Sequence, residues 1–160
     1  MEIKFSTNVQ EIREVMLQAF EEYRNDPAPS SALKETEQSI SEELQNGAFA
    51  LVGYENNVPV AAVRFQYVED YVYFYRLSVS PMCQGKGYAK KLLHKIEEIT
   101  VQHGYNKIQC KVRMSVRRNI QLYESIGYQI LNEELITRPT GEQFKIVNMF
   151  KEVALTKYPL

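Results

Sequence analysis

The sequence predicts a mixed α/β fold: a single domain on a mostly antiparallel sheet of about seven strands, with four helices. Three observations carry this. The spacing of apolar residues switches back and forth between the helical period and strict alternation. The resulting segments fall in the order β-α-α-β-β-β-α-β-α-β-β, which matches neither an all-helical bundle nor a sandwich. And 160 residues suffice for one hydrophobic core, burying roughly 69% of the surface of the unfolded chain. The domain is expected over residues 1–152, with 153–160 as a C-terminal tail.

Each element has its own signal. Ile3–Phe5 is a short apolar strand. Asn8 followed by Glu11 has the pattern of a capping box, and Ile12, Val15, Met16, Ala19, Phe20 and Tyr23 then share one helical face. Asp26-Pro27-Ala28-Pro29 breaks that helix. A second helix is expected from about Ser31 to Gln45, with Leu33, Ile40 and Leu44 inward and Gly47 at its C-terminal end. Strands at 48–54 and 58–68 flank Asn56-Asn57, residue types that tolerate the positive φ of a tight hairpin. Tyr71–Val79 is apolar on both faces apart from Arg76 and Ser78, as a central strand should be. From Gly87 to His103 the helical period returns: Tyr88, Ala89, Leu92, Leu93, Ile96 and Ile99 lie inward, and Lys90, Lys91, Lys95, Glu97 and Glu98 outward. A strand at 107–112, a helix at about 116–126 stopped by Gly127, and strands at 128–135 and 143–152 complete the chain.

Composition bounds the function. Hydrophobic residues at 44% and charged residues at 24% exclude a disordered or fibrous chain. No apolar run approaches the ~18 residues of a membrane span, so no membrane partner is expected. Met1–Phe5 leads straight into polar residues rather than into a signal sequence. Cys83 and Cys110 are too few for a disulfide framework and lack metal-ligand spacing, so no metal is expected. A cytoplasmic location follows from these readings. The net charge of −1 conceals an asymmetry: residues 83–118 hold nine Lys/Arg and two acids, and residues 1–82 hold thirteen acids and six bases. A basic segment in an acidic chain suggests an anion site. The acidic part, with Glu21-Glu22, Glu42-Glu43 and Glu69-Asp70, suggests a cationic partner.

The anion site has a place in the sequence. Leu77-Ser78-Val79-Ser80-Pro81-Met82-Cys83-Gln84-Gly85-Lys86-Gly87-Tyr88-Ala89 runs from strand through a glycine turn into a helix start. There the first backbone N–H groups lack partners and the helix dipole favours negative charge. A dinucleotide fingerprint would need glycine where Lys90 stands. A nucleoside-triphosphate loop would need Ser or Thr where Gly87 follows Lys86. Neither pattern is met, so the turn either holds an anion of another kind or joins strand to helix without a ligand.

Gln84-Gly85-Lys86-Gly87-Tyr88-Ala89 resembles the Q/R-x-x-G-x-G/A acyl-CoA signature of the GNAT superfamily of N-acyltransferases. The strand ending Leu77-Ser78-Val79-Ser80-Pro81 is similar to that family's fourth strand. Asn119-Ile120-Gln121-Leu122-Tyr123-Glu124-Ser125-Ile126-Gly127-Tyr128 resembles its second motif. The element order agrees over residues 1–152. The resemblance implies an acyl-CoA N-acyltransferase fold and an enzyme that moves acetyl from acetyl-CoA to a primary amine by direct attack. It implies that backbone N–H groups from Gly85 to Ala89 hold the CoA pyrophosphate, after Gln84, with Lys86 and Lys90 adding charge. The strand edge at Leu77, Ser78 and Val79 would pair with the pantetheine arm, and an amide there would polarise the thioester carbonyl. Asn119 would contact the pantetheine side and Tyr123 would face the sulfur as the catalytic acid. On spacing alone, Ile120, Tyr123 and Ile126 make Tyr123 a core aromatic; the resemblance gives its hydroxyl a function.

Other candidates weigh less. Cys83 borders the turn with no partner histidine at recognisable spacing, Cys110 is expected in the core, and His94 and His103 on the surface. Many family members carry a Glu on the fourth strand, where this chain has Tyr73, Phe74 and Tyr75. The base that takes the amine proton is left among Glu22, Glu69 and a water chain. Two other classes compete: a non-catalytic acyl-CoA-binding or sensing domain, and a nucleic-acid-binding module. The second is disfavoured because the basic segment centres on a helix start without aromatic platforms and the chain is acidic, so no nucleic acid is expected.

Overall fold

A computed structural model of the chain describes residues 1–154, so the tail expected at 153–160 lies outside the described residues from 155 onward. The elements are β1 (Glu2–Phe5), α1 (Val9–Phe20), α2 (Glu37–Gln45), β2 (Phe49–Glu55), β3 (Val58–Val68), β4 (Tyr71–Val79), α3 (Tyr88–Gln102), β5 (Lys107–Arg113), α4 (Arg117–Ser125), β6 (Gln129–Thr137) and β7 (Gln143–Glu152). Short 3-10 turns lie at Glu21–Tyr23, Ser31–Lys34 and Pro81–Cys83. The seven-stranded sheet has the order β1-β2-β3-β4-β5-β7-β6. The β1–β2, β2–β3, β5–β7 and β6–β7 pairs are antiparallel. β4 pairs with β5 in parallel at Val72–Ile108 and Tyr73–Gln109. This is the mixed, mostly antiparallel architecture the sequence predicts. The described residues divide into two compact units: residues 1–67 with 74–96, and residues 68–73 with those from 97 to 154.

In the first unit α1 and α2 cover one face of β2 and β3. Ile12, Val15, Met16, Ala32 and Ile40 pack with Ala50, Val52 and Ala62. Small residues on the strands let two helices approach, and by alternation Leu51 and Val63, which pair in register, point to the other face. The Asn56-Asn57 turn has φ of 51° and 66°, the left-handed pair that a two-residue hairpin requires.

Two local expectations are corrected here. The Asn8 side chain accepts the Glu11 N–H at 3.1 Å, but the box is not reciprocal. The Asn8 N–H donates to Ser6 Oγ, and the Glu11 carboxylate accepts the Tyr54 hydroxyl at 2.7 Å. The helix expected from Ser31 to Gln45 is two pieces, because Glu35 and Thr36 are extended. Thr36 and Ser39 form a capping box for α2, and Ala32 rather than Leu33 is fully buried.

The break at Glu35 serves a buried charge cluster. Arg64, in the middle of apolar β3, is 1% exposed and ion-paired to Glu35 at 2.6 Å and Glu43 at 3.0 Å. Glu35 also takes Arg76 at 2.5 Å, and Glu43 accepts the Tyr75 hydroxyl at 2.5 Å. Burial, followed by that carboxylate, raises the Tyr75 phenol above its ordinary range, so it stays a donor. A charge in a strand core is tolerated only when paired and hydrogen-bonded in this way.

In the second unit, cross-strand pairs Cys110–Met149 and Val112–Val147 share the buried face of β5 and β7. Burial pushes the Cys110 thiol up to about 12, in keeping with the core position expected of it. Glu97, expected outward on α3, is instead buried and ion-paired with Lys151 of β7. The surface period of a helix cannot show that a β-strand brings a lysine to meet one of its carboxylates. Among the described residues, no helix is long and apolar enough to cross a membrane.

Candidate acyl-CoA site

The glycine turn lies wholly in the first unit. The Ser80 N–H donates to the Val60 carbonyl at 2.8 Å, fixing the end of β4 against β3. The 3-10 turn at Pro81–Cys83 follows, Gln84 is extended, and Gly85 and Gly87 then adopt φ of 84° and 79°. Only glycine takes such values without strain. A Cβ built on either glycine would meet nothing within 4 Å, so the turn faces open space. The Lys91 N–H makes the first helical bond, to the Gly87 carbonyl at 3.1 Å. The N–H groups of Tyr88, Ala89 and Lys90 precede that bond and have no intrahelical acceptor. Gln84, Gly85, Lys86, Gly87 and Lys90 are exposed, Ala89 is half-buried and Tyr88 is buried. Amides without an intrahelical acceptor at the start of a fifteen-residue helix suit a phosphate group.

β4 supplies the neighbouring stretch. Ser78 is buried, its hydroxyl donating to the Arg76 carbonyl, while Leu77 and Val79 are half-buried. Just before them Arg76 has φ of 55°, a left-handed residue inside a strand. Such a conformation costs an ordinary side chain about 1–2 kcal/mol. Here it is held by the Arg76 bonds to Glu35 and to Ser31 Oγ. The sequence gives no sign of it, since arginine is not a residue that marks positive φ.

Asn119 and Tyr123 lie on α4 of the second unit, one turn apart on one face. Asn119 is half-buried; Tyr123 is 5% exposed, its ring centroid 5.8 Å from that of Tyr128. The helix ends at Gly127, φ 100°, where a Cβ would also meet the Lys151 side chain at 3.2 Å. The Tyr128 N–H returns to the Tyr123 carbonyl at 3.0 Å, and burial raises the Tyr128 phenol well above its usual value. Cys83 is buried, and His94 and His103 are exposed.

One residue that meets the turn carries no local sequence signal. Glu55, at the end of β2, accepts a hydrogen bond from the Tyr88 hydroxyl and pairs with Lys86 at 3.3 Å. The contacts span more than thirty residues, beyond the reach of local pattern. The acidic pairs of residues 1–82 also change meaning. Glu21 is bonded to Arg24 and Glu43 to Arg64, so part of that negative charge is neutralised within the chain.

The chain matches the Acetyltransferase (GNAT) family over residues 9–128 and belongs to it. No curated protein matches the sequence. Among solved structures it is similar to the ribosomal-protein-S18-alanine N-acetyltransferase of Escherichia coli, at 18% identity over 96% of this chain and 95% of that one, with a TM-score of 0.75. An N-acetyltransferase from Staphylococcus aureus Mu50 aligns at 18% identity over 94% and 96% of the two chains, TM-score 0.76. The PaiA N-acetyltransferase of Thermoplasma acidophilum, solved in complex with coenzyme A, aligns at 14% identity over 95% and 99%, TM-score 0.74. At these identities the likeness is one of fold.

Proposed function

We propose that this protein is an N-acetyltransferase that moves an acetyl group from acetyl-CoA to a primary amine by direct attack. The observation that carries the reading is the glycine turn, with two left-handed glycines facing open space at the start of a helix whose first amides lack intrahelical acceptors. The amides from Gly85 to Ala89 hold the pyrophosphate, and Lys86 and Lys90 add charge. Leu77–Val79 binds the pantetheine arm along its backbone, and an N–H there stabilises the charge that grows on the thioester oxygen. Asn119 contacts the pantetheine side. The amine attacks the carbonyl carbon, the C–S bond breaks, the Tyr123 hydroxyl protonates the departing thiolate, and the proton that the new amide nitrogen gives up returns through water to the Tyr123 phenolate. No metal takes part. Two buried free cysteines, Cys83 and Cys110, suit a reducing cytoplasm, where we place the reaction.

Binding tests the reading directly. Acetyl-CoA at 100 times its Kd adds ~2.7 kcal/mol of stability if only the folded chain binds it. Thermal melting with acetyl-CoA, NADH and ATP at equal concentration should show the largest rise with acetyl-CoA. No rise, or a larger one with NADH, refutes the reading. Gly87→Val should lower the melting temperature without ligand, because φ of 79° strains a β-branched residue, and abolish the ligand-dependent rise.

The acceptor follows from charge. The acidic residues of the first 82 positions favour a cationic amine, even with Glu21 and Glu43 paired internally. Polyamines and lysine-rich peptides should release CoA faster than neutral or anionic amines. The advantage should shrink as the screening length falls from ~10 Å at 0.1 M salt to ~3 Å at 1 M. Equal or faster turnover of neutral amines at low salt refutes a cationic acceptor.

A further inference from the structure

Glu55 stands where an anion would be unwelcome. The Asn56-Asn57 turn, with Glu55 paired opposite Val58, fixes it at the last position of β2. From there its carboxylate accepts the Tyr88 hydroxyl, and its two oxygens lie 3.3 and 3.4 Å from the Lys86 ammonium. Lys86 and Lys91 also sit over the Tyr88 ring, at 5.9 and 5.5 Å from its centroid. One carboxylate thus grips both the first residue of α3 and the lysine between the two turn glycines. The hydrogen bond from Tyr88, then Lys86, hold the Glu55 carboxyl below the usual range, so it stays charged. The same bond pushes the Tyr88 phenol up to about 12, so it stays a donor.

We propose that Glu55 is a positioning residue of the acyl-CoA turn, holding the Lys86 ammonium in place of a ligand phosphate until acyl-CoA arrives. The proposal rests on the acyl-CoA reading above. The pyrophosphate takes Lys86 from Glu55 on binding, and Glu55 takes it back on release. The carboxylate therefore has two separable effects. Through Tyr88 it fixes the helix start; through its charge it weakens the grip on the anion and speeds departure of CoA.

Glu55→Gln separates them, because it keeps an acceptor for the Tyr88 hydroxyl and removes the charge. Acetyl-CoA should bind this variant about two- to fivefold more tightly at low salt, the scale of a partly exposed ion pair, and dissociate more slowly. The gain should vanish at 1 M salt, where screening reaches ~3 Å. S-acetylpantetheine, which lacks the pyrophosphate, should bind parent and variant equally. Tyr88→Phe, which keeps the Glu55 charge and loses the anchor, should melt lower without binding acetyl-CoA more tightly. If the parent binds acetyl-CoA and Glu55→Gln binds it equally or more weakly, the proposal is overturned and the acyl-CoA reading stands. If S-acetylpantetheine also gains, or Tyr88→Phe also tightens, the effect comes from a loosened turn and the proposal is again overturned. A parent that binds no acetyl-CoA overturns both.

Discussion

Replacing Arg64 by methionine should cost this protein about 3 kcal/mol of stability, a large share of the ~5–15 kcal/mol that holds a domain folded. The guanidinium is 1% exposed and has partners on every side: Glu35 at 2.6 Å, Glu43 at 3.0 Å, the Met16 sulfur at 3.1 Å and the Tyr75 ring at 5.2 Å. Methionine fills much of the volume and leaves the carboxylates without their shared cation. Breaking a buried pair from one side typically costs ~3–5 kcal/mol, because the remaining charge is stranded away from water. The lower end applies here, since Glu35 keeps Arg76 and Glu43 is one-third exposed. For a chain of this size that corresponds to a fall of roughly 6–12 °C in Tm.

Two comparisons make the result diagnostic. Arg24→Met removes an ion pair of similar length to Glu21, but both side chains are more than half exposed. Exposed pairs contribute little, so this variant should melt with the parent. Adding Glu43→Gln to Arg64→Met should recover part of the loss, because the stranded charge goes with it. If Arg64→Met melts like Arg24→Met, the cluster is solvated and the account of the Glu35 break fails.

That cluster also shows where local sequence pattern stops. The order of seven strands and four helices follows from apolar spacing and breakers, and the glycine turn and Asn-Asn hairpin follow from residues that adopt positive φ most readily. These are local properties. The interruption at Glu35–Thr36 answers to Arg64, nearly thirty residues away, and the burial of Glu97 answers to Lys151. The arginine inside the apolar run 58–68 requires a buried counter-charge, and nothing in that run names the carboxylate that supplies it. Arg76 is harder still. Its left-handed conformation is imposed by Glu35 and Ser31 together with the strand around it, and nothing in its own residue type announces that. The candidate site divides along the same line: the turn from Gln84 to Lys90 stands out in one stretch of chain, and Glu55, which meets it through a hairpin, does not.

Tyr123→Phe should leave the fold and acetyl-CoA affinity nearly unchanged and lower kcat by ~10²–10⁴, the usual contribution of a positioned general acid, where thiolate departure limits turnover. The substitution deletes one oxygen. The ring stays in its buried place on α4, 5.8 Å from the Tyr128 ring, so its packing is retained. An alkanethiol has a pKa near ~8.5, and a phenol near ~10 is close enough to give up its proton as sulfur charge develops. A tyrosine that serves only the core behaves in the opposite way: losing the hydroxyl lowers Tm and leaves turnover per folded molecule intact. Paired measurements of Tm and kcat therefore separate the two roles. Tyr128→Phe supplies the contrast. That phenol is buried, and burial pushes its ionisation well above the usual range, so it stays protonated at neutral pH. Its loss should leave kcat unchanged. A Tyr123→Phe enzyme that turns over at the parent rate would remove Tyr123 from the chemistry and leave protonation of the thiolate to solvent.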